Sequence, residues 1–164
     1  MKKKNKIPEG LNKIQWERME RFTEEWGIKS KLKNYIDALN EIEDMTDRYV
    51  WLMDLGKKSP IVPDKFKLEE FEVPGCQSQT WLVPHFMYDD KMYFTADSVA
   101  LISKGMVCLL ADIFSNSTRK EIATFEEDAL KDLNLDTLLT PGRRNGVYSM
   151  LKIIQGYGQR KDQT

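Results

Sequence analysis

Thr80-Trp81-Leu82-Val83-Pro84-His85-Phe86-Met87-Tyr88-Asp89-Asp90-Lys91-Met92-Tyr93-Phe94-Thr95-Ala96-Asp97-Ser98-Val99-Ala100-Leu101-Ile102 is the stretch whose reading decides the fold. Two runs rich in aromatic and β-branched residues, Thr80 to Tyr88 and Met92 to Thr95, flank the turn sequence Asp89-Asp90-Lys91, so the segment reads as a β-hairpin. Pro84 has no N–H, so its strand is either bulged there or leaves that amide side free. The periodicity then changes. Val99, Ile102, Met106, Leu109, Leu110 and Ile113 recur at helical spacing, with Asp97 or Ser98 as the candidate cap of a central helix.

Upstream of the hairpin, Leu68 to Val73 reads as a further short strand after the proline-broken loop Ser59 to Asp64. Before that, Leu32 to Lys58 reads as two helices with a break near Thr46. Leu11, Ile14, Met19, Phe22 and Trp26 trace one face of an amphipathic N-terminal helix ending at Gly27, more suited to packing than to free recognition. Downstream, Thr118-Arg119-Lys120-Glu121 has the form of a capping box, and Phe125 to Leu133 suggests a short helix. Thr140-Pro141 opens a last helix that buries Val147, Met150, Leu151 and Ile154. Helices flanking one small meander of strands make an α+β arrangement.

The chain has 164 residues, 41% hydrophobic and 31% charged, which suits one soluble domain. A formal net charge of -1 offers no basic field, so nucleic acid is not an expected partner. No stretch has the length and apolarity of a membrane span, and no apolar run of signal-peptide length follows the basic start Met1-Lys2-Lys3-Lys4. The expected location is the cytoplasm, where Cys76 and Cys108 would stay reduced and unpaired.

Cys76 is the residue that points to chemistry. It stands in Val73-Pro74-Gly75-Cys76-Gln77-Ser78-Gln79, just after a Pro-Gly turn and just before an apolar strand, which holds a thiol at a loop tip. The plainer reading of an intracellular cysteine is a small buried hydrophobe, and that reading fits Cys108 in its amphipathic helix. It fits Cys76 poorly, because Pro74 and Gly75 break the pattern before it and polar side chains follow. His85 is the lone histidine and falls several residues beyond the thiol, so it reads as a half-exposed strand residue rather than a catalytic base. Gln77 and Gln79 are hydrogen-bonding groups for the loop or for a partner.

Three motifs, VPGCQSQTWL, FTADSVALISKG and LTPGRRNGVYSML, in this order and spacing resemble the SufE family, the cysteine desulfuration proteins of iron-sulfur cluster assembly. The resemblance spans a domain at residues 34–158, with residues 1–33 as an extension carrying the amphipathic helix and 159–164 as a tail. It implies a two-layer SufE/NifU-like fold, a small antiparallel three-stranded sheet against helices, with Cys76 between the first and second strands. It further implies that Cys76 takes persulfide sulfur from a cysteine desulfurase, stimulates that enzyme and passes the sulfur to an iron-sulfur scaffold complex. On this reading the chain needs no cofactor of its own, since pyridoxal phosphate belongs to the desulfurase, and it is an accessory carrier rather than an enzyme. The resemblance places an arginine at the position of Arg143 and packs the segment carrying Asp97 near the active loop; Arg143 or Arg144 would supply positive charge there if the fold brings the last helix to the loop, and Gly75, Gln77 and Gln79 are candidates for positioning the loop or its partner. An unperturbed thiol, of pKa about 8.5, is only slightly ionised at neutral pH, so a nearby cation such as Arg143 would help it.

Other classes fit less well. A cluster scaffold or zinc site wants about four soft or borderline ligands, and this chain has two cysteines and one histidine. A redox-sensing thiol wants a resolving partner, and no CxxC is present. A non-catalytic adaptor of the desulfurase remains as the alternative if the thiol proves inaccessible.

Overall fold

The computed structural model describes residues 27–160, so the amphipathic segment read over Leu11 to Trp26 lies outside the described residues. Helix α1 spans Ile28–Asn40 and α2 spans Met45–Lys58, with the break placed at Asp44, whose side chain accepts a hydrogen bond from Asp47 N at 3.1 Å. The hairpin is β1 (Thr80–Phe86) and β2 (Lys91–Ser98), followed by α3 (Leu101–Phe114). Then come β3 (Ser117–Thr118), α4 (Arg119–Ala123), a 3-10 segment at Glu127–Leu133, α5 (Leu135–Leu138) and the closing helix α6 (Pro141–Gln159).

The sheet is antiparallel with strand order β1-β2-β3. Asp89 and Asp90 both take positive φ, 62° and 59°, the left-handed conformation that short polar side chains tolerate, and this turns the hairpin tightly. Register then runs without a bulge from Thr80↔Ser98 to Phe86↔Met92, straight through Pro84↔Phe94. Pro84 is accommodated because β1 is an outer strand, where a missing donor breaks no second ladder.

The strand read over Leu68 to Val73 is not a strand. Its middle is a 3-10 turn, Glu69–Phe71, and only an isolated bridge, Glu72↔Trp81, joins it to the sheet. Three glutamates in that stretch disfavour extended pairing, and the third strand of the sheet is supplied instead by the two residues of β3. The segment Phe125 to Leu133 likewise closes as the 3-10 turn Glu127–Leu133 rather than as an α-helix.

The core lies between sheet and helices. Leu82, Met92 and Phe94 from the strands meet Met106, Leu109, Leu110 and Ile113 of α3 and Met150, Leu151 and Ile154 of α6, all fully buried or nearly so. Val99, expected on the buried face of α3, is 68% exposed because the helix starts two residues later, at Leu101. Helix α1 runs unbroken through residue 33 and is fastened by Lys31, which is buried and donates from Nζ to the carbonyls of Asp112 (2.8 Å) and Ser115 (2.6 Å) at the end of α3. A cation there satisfies carbonyls that the helix itself cannot pair. Burial lowers the Lys31 pKa to about 8, against the opposing pull of Asp112 and Glu121. No helix among the described residues is long and apolar enough to cross a membrane.

Candidate functional site

Cys76 precedes the first strand of the sheet and sits in the tight loop between the Glu72 bridge and β1. The loop is closed at its base by Val73 N–H donating to Thr80 O at 2.8 Å. Gly75 takes φ 78°, the left-handed conformation that glycine adopts without steric cost, and this reverses the chain directly before the thiol. Gly75 and Gln77 are exposed while Cys76 between them is half-buried, so its side chain turns inward.

What it turns toward is the N-terminal half of α6. A Cβ placed on Gly146 would lie 3.2 Å from Cys76 Sγ, one on Gly142 would lie 2.4 Å from Gln77 Nε2, and one on Gly75 would lie 3.3 Å from Ser149 Oγ. Gly142, Gly146 and Ser149 fall at i, i+4 and i+7, one stripe of the helix, and their small side chains let the loop lie directly on its backbone. Glycine weakens a helix interior by about 1 kcal/mol relative to alanine, and here that weakness is the condition of close approach.

The loop is also tied to α6 by polar contacts. Thr140 caps the helix, accepting from Arg143 N at 3.4 Å, and donates from Oγ1 to Gln77 Oε1 at 3.5 Å. Arg143 donates from Nε to the same Gln77 oxygen at 3.4 Å and from Nη1 to Tyr49 Oη on α2 at 3.3 Å. Arg143 is therefore brought to the cysteine loop, by way of Gln77. Burial nevertheless pushes the Cys76 thiol above its ordinary pKa, opposed by a hydrogen bond with Thr80, so the expected lowering by a nearby cation is not what the resting loop provides.

Asp97 is not a helix cap. It is the penultimate residue of β2, buried at 5% exposure, accepts from Val62 N (3.1 Å) and Ser98 N (2.9 Å), and pairs with Lys67 and Lys104, each at 3.5 Å. It thereby ties the segment carrying Val62 and Lys67 to Lys104 in the first turn of α3. Its neighbour Ser98 donates to Gln79 O at 2.9 Å and accepts from Thr80 Oγ1 at 3.0 Å, which fixes the exit of the cysteine loop. Gln79 itself reaches from Nε2 to Glu72 Oε2 across the mouth of that loop, at 3.4 Å.

The remaining candidates take no part. His85 is buried rather than half-exposed; its Nε2 is 2.9 Å from Thr95 Oγ1 and its ring meets the Phe66 ring edge-on, so Phe66 helps cover it. Cys108 donates to Ala96 O at 3.5 Å, and burial raises its pKa to about 11, which leaves a thiol suited to packing. Among the described residues no group of three or more His, Cys, Asp or Glu side chains is placed to hold a metal ion. Sequence reasoning missed Tyr49, Thr80, Gly142, Gly146 and Ser149; the small-residue stripe ahead of Val147 and Met150 was the signal that could have found the last three.

The chain is similar to known proteins. The model of the SufE family, the Fe-S metabolism associated domain, matches residues 33–158. The cysteine desulfuration protein SufE of Wigglesworthia glossinidia brevipalpis is 30% identical over 123 residues, covering 74% of this chain and 85% of that one. An uncharacterized SufE-like protein of Rhizobium meliloti is 32% identical over 130 residues, covering 77% and 93%. A hypothetical protein of Thermus thermophilus, solved in solution, matches with a TM-score of 0.64 at 19% identity over 79% of this chain and 93% of that one, a likeness of fold.

Proposed function

The chain belongs to the SufE family, and from that premise we propose that Cys76 is a covalent sulfur carrier: it accepts sulfur from the persulfide of a pyridoxal-phosphate cysteine desulfurase and hands it to an iron-sulfur scaffold. The observation that carries the reading is the placement of Cys76, a half-buried thiol at a glycine-hinged loop, while Cys108 is packed in a helix. In the transfer step the Cys76 thiolate attacks the outer sulfur of the partner's persulfide. The sulfur-sulfur bond breaks, the partner cysteine leaves as thiolate, and the persulfide now stands on Cys76 with no net oxidation or reduction. Clearing the partner's cysteine readies it for another turnover, which is how the carrier stimulates the desulfurase. The carrier needs no cofactor for this, and the proposed site of action is the cytoplasm. Incubating the protein with a desulfurase and cysteine, then locating the added sulfur by mass spectrometry, tests the reading; sulfur on Cys108, or on neither cysteine, overturns it.

A persulfide in the open is lost to small thiols, so a sheltered resting position protects the cargo, and the raised Cys76 pKa fits a thiol stored rather than primed. Delivery then requires the loop to move, with Gly75 absorbing the backbone change. At φ 78° a β-branched side chain is strained, so Gly75→Val should slow transfer about tenfold while lowering the melting temperature only modestly. Equal accessibility of Cys76 to a thiol reagent in the free and partner-bound states would rule out the gating.

Arg143 serves this delivery by holding the loop through Gln77 and, once the partner docks, by pairing with a partner carboxylate. Arg143→Ala should raise the concentration of carrier needed for half-maximal stimulation about tenfold, since a fully engaged arginine-carboxylate pair is worth about 1.5 kcal/mol or more. Arg143→Lys keeps the charge and loses the fork. Partial recovery in the lysine variant indicates a field effect, and none indicates directed hydrogen bonds. An alanine variant with unchanged half-saturation and unchanged plateau would remove Arg143 from the site.

A further inference from the structure

Taking the sulfur-carrier reading as its basis, we propose that Gln77 is a latch: its carboxamide, seated over Gly142 and held by Thr140 and Arg143, keeps the cysteine loop shut on α6, and Tyr49 ties that latch to α2. Gln77 follows the thiol directly, so while its side chain is held on α6 it restrains the backbone that carries Cys76. One acceptor, Oε1, receives both donors, while the space in which Nε2 lies exists only because residue 142 has no side chain. The far end of Arg143 is occupied by Tyr49 Oη, so the guanidinium bridges the loop and a different helix.

The contacts are long. The two onto Gln77 measure 3.4 and 3.5 Å and the one onto Tyr49 measures 3.3 Å, beyond the ordinary range for such bonds, and the Gln77 pair is solvent-exposed. Each therefore contributes weakly, and together they hold a closed loop that opens readily. A carboxylate offered to Arg143 by a docked protein forms a shorter, charge-assisted pair, roughly twice as strong as a neutral one, and takes the guanidinium from Gln77 and Tyr49 at once. Gln77 is thus a positioning residue acting on Cys76, and the opener is an acidic side chain on the partner.

The test reads the free protein, without a desulfurase. Cys76 and Cys108 are alkylated with iodoacetamide and their modification is followed separately by mass spectrometry across pH. Gln77→Ala should raise the rate constant at Cys76 about three- to tenfold, the effect of losing one or two weak hydrogen bonds, and should lower the apparent pKa of the reaction, because an opened thiol sheds the burial that raises it. Gly142→Ala should do the same while holding or raising the melting temperature, since its Cβ displaces only the end of a flexible side chain and alanine favours the helix. Tyr49→Phe should raise the rate about twofold. Cys76 rates equal to wild type in both Gln77→Ala and Gly142→Ala overturn the latch, and so does a rise matched by an equal rise at Cys108, which marks general loosening. An unchanged rate in Tyr49→Phe removes the tie to α2. If the variants behave as expected yet no desulfurase loads Cys76, the latch stands and the carrier reading falls.

Discussion

Cys76→Ser is expected to abolish sulfur acceptance and desulfurase stimulation while leaving the fold and melting temperature essentially unchanged. Serine nearly matches the thiol in size and fits the space over Gly146, where Sγ now lies 3.2 Å from the position of a Cβ. It lacks the polarizable, ionisable sulfur that attacks a persulfide. The loss should be complete within detection, because no other described thiol is placed to substitute. Cys108→Ser should accept sulfur at the wild-type rate and instead lose about 1 kcal/mol of stability, as a hydroxyl replaces sulfur in a largely apolar setting beside Ala96 O. Stimulation that survives in the Cys76 variant would restore the adaptor reading, since binding alone would then suffice.

The hairpin, the apolar helix after it and the proline-started last helix were legible in the sequence because each is a local pattern repeated over seven or more residues. The Thr118 cap was legible too, and Glu121 N donates to its hydroxyl at 3.1 Å. What failed were short segments whose state is set by their neighbours. Leu68 to Val73 alternates too little and carries too much charge to hold a strand on propensity alone, and the two-residue β3 is strand solely because it meets Lys91 and Met92. Asp97 was misread for a related reason. Its position before an apolar run has the form of a cap, but Val62, Lys67 and Lys104 arrive from elsewhere in the chain and claim the carboxylate.

The chemistry of the candidate site was legible in one residue, and its environment was not. Pro74 and Gly75 announce a turn at Cys76, and the three-motif resemblance supplies the proposed role. That the thiol has a raised pKa follows from its burial against α6, which no local pattern encodes. Tyr49 is 27 residues upstream of Cys76 by the numbering and enters the site only because α2 packs where it does.

That packing rests on two glycines, and the second large effect is expected at one of them. Gly105→Ala would place a Cβ 2.0 Å from Leu52 O and 2.8 Å from Leu52 C, backbone atoms of α2 that cannot rotate away. Gly56 repeats the arrangement from the other side, where a Cβ would meet Leu101 O at 2.7 Å, so α2 and α3 touch backbone to backbone along this line. Alanine gains about 1 kcal/mol in helix propensity and costs about 3 kcal/mol or more in overpacking, because relieving the contact moves a whole helix. The expected net loss of about 2 kcal/mol or more lowers the melting temperature by roughly 5 to 10 °C. Gly156→Ala is the matched comparison. It has nothing within 4 Å of the added Cβ, so the propensity gain acts alone and the protein should be stabilised slightly. A Gly105 variant that melts with Gly156→Ala would show that the helices can separate freely. If it melts low but folded, Tyr49 moves away from Arg143 with α2, and Cys76 should alkylate faster, linking the spacing of two helices remote from the thiol to the readiness of the loop that carries it.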